Sequence, residues 1–260
     1  MSFETILFQE REEVAVVTLN RPERLNALSL VLLEELRTVI GEIGSREDLK
    51  SILITGGDKV FCAGADINIF SGLKTPDEAY SFVQGIKQAL GSLKRVSKPV
   101  IAAICGHALG GGLELSLFCD IRVAAEDAKL GVPEINLGAF PAAGGTQMLP
   151  RLIGLARAKE MLFSGRPISG EEAYRIGLVN RVVPKEKVFN ESLDLARELA
   201  AKAPYAIGVI KRVVDNGVEM DLDRAFTYES SNFMGILASS DFKEGSRAFL
   251  EKRKPNFKGD

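Results

Sequence analysis

The chain has 260 residues, 46% hydrophobic and 26% charged, enough to bury one sizeable core with room for a small appendage. Its 33 basic and 35 acidic residues leave a net charge of −2, so no broad positive field draws it to nucleic acid. One histidine excludes a multi-histidine metal site, and three cysteines without CxxC spacing read as buried free thiols of a reducing cytosol.

The opening MSFETILFQEREE is acidic and shows neither a basic-then-apolar leader nor an Arg-rich transit pattern. No apolar run approaches the ~18 residues of a membrane span. The expected setting is cytoplasmic, with neither membrane nor nucleic acid as partner. Val14–Leu19 (VAVVTL) is an apolar run of strand length. NRPERLNAL after it is a polar turn in which Arg21 and Arg24 either hold phosphate or stand solvated. Ser29 is placed to cap a helix whose Leu32, Leu33, Leu36, Val39, Ile40 and Ile43 recur at helical spacing. Ser51–Thr55 (SILIT) is a second strand, and FCAGAD at 61–66 is a glycine-containing turn. The polar stretch SGLKTPDE at 71–78 reads as mobile, and a helix is expected over 77–93.

A strand at 99–104 (PVIAAI) runs into Gly110, Gly111 and Gly112. Three glycines in a row remove every Cβ, so a ligand can approach the backbone and N–H groups can point into a cavity. The expected short helix at 113–118 begins with Glu114, and its exposed amides and positive dipole end suit an oxygen anion. A short strand follows at 121–124 (IRVA). Glu134 then sits between Pro133 and Ile135, a second carboxylate among apolar neighbours. Either glutamate alone reads equally well as a salt-bridged structural residue. Together with the glycine triplet they point to an anion pocket beside an acid/base pair. Strand, small-residue turn and helix recur three times, which predicts an α/β fold with parallel strands covered on both sides.

From Thr146 the pattern turns to helix after helix. Ser169 with Glu172 fits a capping box, Gly177 a C-terminal stop, and 178–183 (LVNRVV) one more strand. Helices are expected over 187–202, 205–216, 221–237 and 242–253, the last with Asp241 and Glu244 as a second capping-box pattern. Phe226, Phe233, Met234, Ile236 and Leu237 spread apolar surface over more than one side, which predicts oligomerisation.

Read as a set and in this order, FCAGADI, IAAICGHALGGGLELSLFCDIRVA, GVPEINLGAFPAAGGTQMLPRLIG and AFLEKRKPNF closely resemble the enoyl-CoA hydratase/isomerase (crotonase) superfamily, and best its hydratases. The resemblance runs nearly end to end, through NRPERLNAL and SGRPISGEEAYRIGLVNRVVP. It implies a crotonase-like spiral of repeated ββα units over 1–200 and a helical trimerisation region over 201–260, in a homotrimer or dimer of trimers. It implies reversible addition of water to a 2-enoyl-CoA, with acyl-CoA as substrate and no metal or redox cofactor. By resemblance, the backbone N–H groups of Ala65 and Gly111 form the oxyanion hole. Glu114 would orient and deprotonate water, and Glu134 would deliver the proton to Cα. The same likeness puts the CoA adenine against the backbone of Ala63, Ala65, Asp66, Ile67 and Asn68, with Asp66 chiefly fixing its own turn. Phe233 and Lys252 would cover the nucleotide, often from a neighbouring subunit.

Three positions depart from the family pattern. Ala142 stands in the loop 141–145 (PAAGG), commonly PGxGG, where the N–H at its position helps hold water in hydratases and alanine disfavours positive φ. His107 precedes ALGGG where an aromatic or apolar residue is frequent, and reads as a core histidine ahead of one that reaches the acyl pocket. Met148 replaces a common arginine. The rival readings are a Δ3-Δ2 enoyl-CoA isomerase, which typically keeps an acid only at the Glu134 position, a hydratase of a cyclic dienoyl-CoA, and a non-enzymatic acyl-CoA- or RNA-binding protein.

Overall fold

The computed structural model describes residues 3–72 and 74–259. Ten strands lie among these residues: β1 (Ile6–Arg11), β2 (Val14–Leu19), β3 (Ser51–Thr55), β4 (Val60–Cys62), β5 (Val100–Ile104), β6 (His107–Leu109), β7 (Ile121–Ala125), β8 (Lys129–Gly131), β9 (Ile168–Ser169) and β10 (Arg181–Val183). They form two sheets, a larger one in the order β1-β2-β3-β5-β7-β10 and a smaller one in the order β4-β6-β8-β9. From β2 to β10 the larger sheet is parallel, with Val16 beside Leu53, Leu53 beside Ile101, and Ala103 beside Val123. β1 joins it antiparallel, as β9 joins the smaller sheet. Every residue of β3 and β5 is buried, so these strands show no apolar-polar alternation.

The helices are α1 (Leu30–Ser45), α2 (Ile67–Gly72), α3 (Pro76–Arg95), α4 (Gly111–Leu117), α5 (Gly145–Ile153), α6 (Leu155–Ser164), α7 (Gly170–Arg175), α8 (Val188–Ala200), α9 (Pro204–Gly217), α10 (Leu222–Ala238) and α11 (Ser240–Leu250). The chain alternates between the sheets in a regular way. β3, β5 and β7 each lie in the larger sheet, and β4, β6 and β8 follow them in the smaller one, with a helical segment before the next pair. That is the expected ββα spiral.

Caps explain several boundaries. Ser29 accepts the Leu32 N–H at the start of α1, as its position predicts. Thr75 and Glu78 form a full capping box on α3, so the part of 71–78 from Thr75 onward is the ordered start of a helix. Leu73, within the stretch read as mobile, lies outside the described residues. Ser169 caps α7 by accepting the Glu172 N–H. The capping pattern at Asp241 is corrected: Ser239 caps α11, and the Asp241 carboxylate instead accepts Lys258 N and Gly259 N at 2.7 and 3.0 Å, holding the C-terminal segment. The strand expected at 178–183 is confined to Arg181–Val183, because Leu178 and Val179 fold back to the Ala173 carbonyl.

α8 packs along β2, β3, β5 and β7, while α9 and α10 pack on each other. Lys211 of α9 ties this last part to the core, its ammonium donating to Leu93 O, Lys98 O and the Asp120 carboxylate at 2.7, 3.2 and 2.8 Å. No residue of α10 is buried, and Phe226, Phe233 and Met234 are among its exposed side chains. Among the described residues, no helix is long and apolar enough to cross a membrane. Cys62, Cys105 and Cys119 are free and buried, and desolvation pushes their thiols up to about 12, 11 and 12.

The turn 20–28 is a polar clamp. Asn26 is 2% exposed and sits at φ +55°. Its amide donates to Gly56 O and Val60 O at 2.9 and 3.0 Å, and its side-chain carbonyl accepts Arg21 N at 2.9 Å. Removing that amide takes a donor from part-buried carbonyls. Asn26→Ala is expected to lower folding stability by about 3 kcal/mol, read as a lower urea midpoint at unchanged m-value.

Candidate active site

The site lies where α4 begins. β6 ends at Leu109, Gly110 turns the chain, and α4 starts at Gly111 with its first amides unspent. α4 runs close against the end of β4: a Cβ on Gly112 would lie 2.0 Å from the Cys62 carbonyl oxygen, so only glycine permits this approach. A side chain on Gly111 would lie 3.3 Å from Ala65 N, so these two stretches of backbone converge.

The loop at 63–66 is paired on one side only. Leu28 N donates to Gly64 O and Asp66 N donates to Leu28 O, a parallel bridge that spends the groups flanking Ala65. The Ala65 N–H therefore points away from that bridge. Among the described residues neither Ala65 N nor Gly111 N donates a hydrogen bond to protein. Arg21 keeps the loop in place by donating to Asp66 at 3.3 Å and to Ala27 O. It is thus neither free in solvent nor open to phosphate. Asp66 accepts Asn68 N at 3.2 Å, fixing its own turn.

A cavity of about 530 Å³ opens in front of these amides. Ala63, Ala65, Gly111 and Ala142 line it, together with Glu114 and Glu134. Val83 and Ile86 of α3 supply an apolar wall that the sequence did not mark. At i and i+3 they follow the same helical stripe as core residues, so spacing alone does not tell cavity from core. Ile67, Leu137 and Phe140 line it too and are 63%, 70% and 68% exposed, making an apolar lip. Asp66 and Asn68 are not in the wall. Phe233 and Lys252 also stand outside the wall of this chain's own cavity, in the C-terminal region. His107, read as a core residue, is exposed on β6 beside Val60 and does not line the cavity. Met148 packs against the core.

Glu114, one turn into α4, is 3% exposed. Its Oε1 accepts two backbone donors, Ala143 N and Gly145 N, both at 2.8 Å. Burial, and secondarily the Glu134 charge, push its carboxyl up to about 7 against the pull of these amides and of Lys87. Glu134 lies in a short 3₁₀ turn, Pro133–Leu137, and burial raises its pKa too. Its Oε2 is buried without a hydrogen-bond partner among the described residues. Ala142 avoids positive φ; Gly144, at φ 131°, makes the turn instead. The Ala142 N–H likewise donates to nothing among the described residues. The site thus offers three free amides and two carboxyl groups on one apolar cavity, which suits an anionic oxygen intermediate and proton transfer. None of the described residues forms a cluster of three or more His, Cys, Asp or Glu that could hold a metal.

The chain is similar to known proteins over nearly its whole length. Residues 9–260 match the family model described as enoyl-CoA hydratase/isomerase. The short-chain-enoyl-CoA hydratase of Clostridium acetobutylicum is 40% identical over 98% of this chain and 97% of its own length. The crotonyl-CoA hydratase of Syntrophomonas wolfei is 42% identical over 258 residues, 99% of this chain and 99% of its own length. The crystal structure of an enoyl-CoA hydratase from Bacillus anthracis superposes with a TM-score of 0.95 at 40% identity, covering 99% of this chain and 100% of that one.

The Glu114 environment has a stability consequence. Its folded-state pKa of about 7 exceeds the ordinary 4.5, so the folded chain holds a proton that the unfolded chain releases. That contribution is complete below about 4.5 and is lost as pH rises through about 7. Glu114→Gln removes it. The variant is expected to gain on the order of 3 kcal/mol relative to wild type between pH 4.5 and about pH 8, seen as a growing difference in melting temperature.

Proposed function

The chain belongs to the enoyl-CoA hydratase/isomerase family, and we propose that it is an enoyl-CoA hydratase, adding water reversibly across the Cα–Cβ double bond of a 2-enoyl-CoA to give a 3-hydroxyacyl-CoA. The observation that carries this reading is a pair of carboxyl groups, Glu114 and Glu134, on the same cavity as the unspent Ala65 and Gly111 amides.

The thioester oxygen is received by the Ala65 and Gly111 N–H groups. Attack at Cβ moves charge onto that oxygen, so each donor binds the enolate more strongly than the carbonyl, on the order of 3 kcal/mol apiece. Because Glu114 Oε1 is taken by Ala143 and Gly145, its other oxygen is left to hold water. Ala142 N–H is a second support for that water. As the water oxygen bonds to Cβ, its proton passes to Glu114, and the enolate collapses by taking a proton at Cα from Glu134. Dehydration uses the same groups in reverse. Val83, Ile86, Leu137 and Phe140 suit a hydrocarbon acyl group, and the names of the two relatives make short linear enoyl-CoAs the first substrates to try.

For CoA itself the reading keeps the adenine against the 63–68 backbone, with Phe233 and Lys252 contributed from a neighbouring copy. The division at 200/201 falls between α8 and α9, and the exposed apolar side chains of α10 support a homotrimer or dimer of trimers built through the C-terminal part. An isomerase needs one group to carry a proton between Cα and Cγ. A second carboxyl pinned beside a free amide has no task in that reaction, which favours hydration.

Crotonyl-CoA supplied to the purified protein should lose its conjugated absorbance as 3-hydroxybutyryl-CoA appears. Glu114→Gln and Glu134→Gln should each lower turnover at least about a hundredfold. Near-wild-type turnover in either removes the assignment, and conversion of a 3-enoyl-CoA to conjugated product without hydroxyacyl-CoA would favour isomerisation. Because hydration needs one proton on the pair, for Glu134 to deliver, kcat/KM should fall as pH rises through about 7, where the pair loses that proton.

A further inference from the structure

The two glutamates are held by different means. Glu114 is fixed by two amide donors. Glu134 has no such anchors among the described residues; its carboxyl meets only its own backbone N–H and leaves Oε2 unpartnered. What it does touch is Gly110. A Cβ on Gly110 would lie 2.8 Å from Glu134 Oε1, 3.4 Å from Cδ and 3.8 Å from Oε2, so the whole carboxyl group rests on the face of this glycine. Gly110 is itself immobilised: its N–H donates to Gly131 O at 2.8 Å, three residues before Glu134, and its carbonyl accepts Glu114 N at 3.0 Å. Its φ of 52° and ψ of −126° are open only to glycine without strain.

We propose that Gly110 is a positioning residue for Glu134, its bare Cα acting as the stop that sets the depth of that carboxyl in the cavity while its carbonyl registers Glu114. The distance between the two carboxyl groups is then fixed through one residue's backbone. The inference rests on the hydratase reading, in which Glu134 delivers the Cα proton. It assigns to Gly110 a task separate from the anion-binding amide of Gly111.

A double-mutant cycle tests this. Glu134→Asp withdraws the carboxyl by one methylene and clears the space that a Cβ at 110 would need. Gly110→Ala is expected to lower kcat for crotonyl-CoA hydration by at least about thirtyfold with little change in KM. In the Glu134→Asp background the same substitution should cost less than about threefold. The backbone strain of alanine at this φ is common to both backgrounds and cancels in the comparison. A second readout is the melting temperature: Gly110→Ala should lower it more in the wild-type background than in the Glu134→Asp background, and soluble protein in the latter alone supports the proposal equally. Equal losses of kcat in both backgrounds, or failure to fold in both, would overturn it, because the glycine would then serve the turn and not the carboxyl. If wild type does not hydrate any enoyl-CoA, the hydratase reading itself falls; an active wild type with an additive cycle sinks only the Gly110 proposal.

Discussion

The site depends on main chain lying directly against main chain. α4 begins so close to the end of β4 that nothing larger than hydrogen fits between Gly112 and the Cys62 carbonyl. This contact brings the unpaired first amide of a helix beside the inward amide of a one-sided bridge. Among the described residues neither donor has a protein acceptor, and the bonds beside them, Gly110 N to Gly131 O on one side and the Leu28 bridge on the other, hold both in place. Donors that are fixed before substrate arrives cost no reorganisation when charge develops in front of them. The same approach carries Glu114, one turn along α4, out of solvent. Its carboxyl then draws in the loop 141–145, since two amides from that loop offset part of the cost of burial.

Both ends of this assembly are clamped by polar residues that touch no cavity. At the near end, Arg21 holds the 63–66 loop through Asp66 and Asn26 holds the chain entering it through the Gly56 and Val60 carbonyls, and the inward amide is left free. At the far end of α4, buried Arg122 donates to Ser116 O, Cys119 O and Leu178 O at 3.1, 2.8 and 2.8 Å. A cation there satisfies carbonyls that a helix leaves open and opposes the negative end of its dipole. The carbonyls compensate its buried charge. α4 is therefore fixed by close backbone contact at one end and by a guanidinium at the other, which suits an element that must hold an amide and a carboxyl in register.

The long apolar strands and the periodic helices were legible from sequence because burial on both faces, or a repeated stripe, leaves many residues in agreement. VAVVTL, SILIT and the α1 stripe are of that kind. The smaller sheet was not legible: β4, β6 and β8 have three residues each, too few to establish a period, and their pairing is set by the larger sheet. His107 misled for the same reason, since its place beside buried Ala108 gave no sign that its own side chain faces out. The glycine triplet and the two glutamates stood out because each breaks a local rule without an evident structural return. Gly110 against Glu134, and the Ala143 and Gly145 amides on Glu114, were hidden because they join residues far apart in the chain through backbone atoms that carry no sequence identity.

The different anchoring of the two carboxyl groups bears on which of them is charged when it matters. Both are pushed upward by burial, and charge on Glu134 opposes ionisation of Glu114, so a single shared negative charge is the favoured state of the pair. In the open cavity Glu134 is the more solvated of the two and Glu114 the more deeply buried. In the proposed reaction an acyl chain filling the cavity removes water from Glu134, whose one donor is its own backbone N–H, whereas Glu114 keeps both amides whatever fills the space. Occupation therefore moves the charge toward Glu114 and the proton toward Glu134. In the proposed hydration that is the starting arrangement, a base on the side of water and an acid facing Cα, and substrate binding itself supplies it.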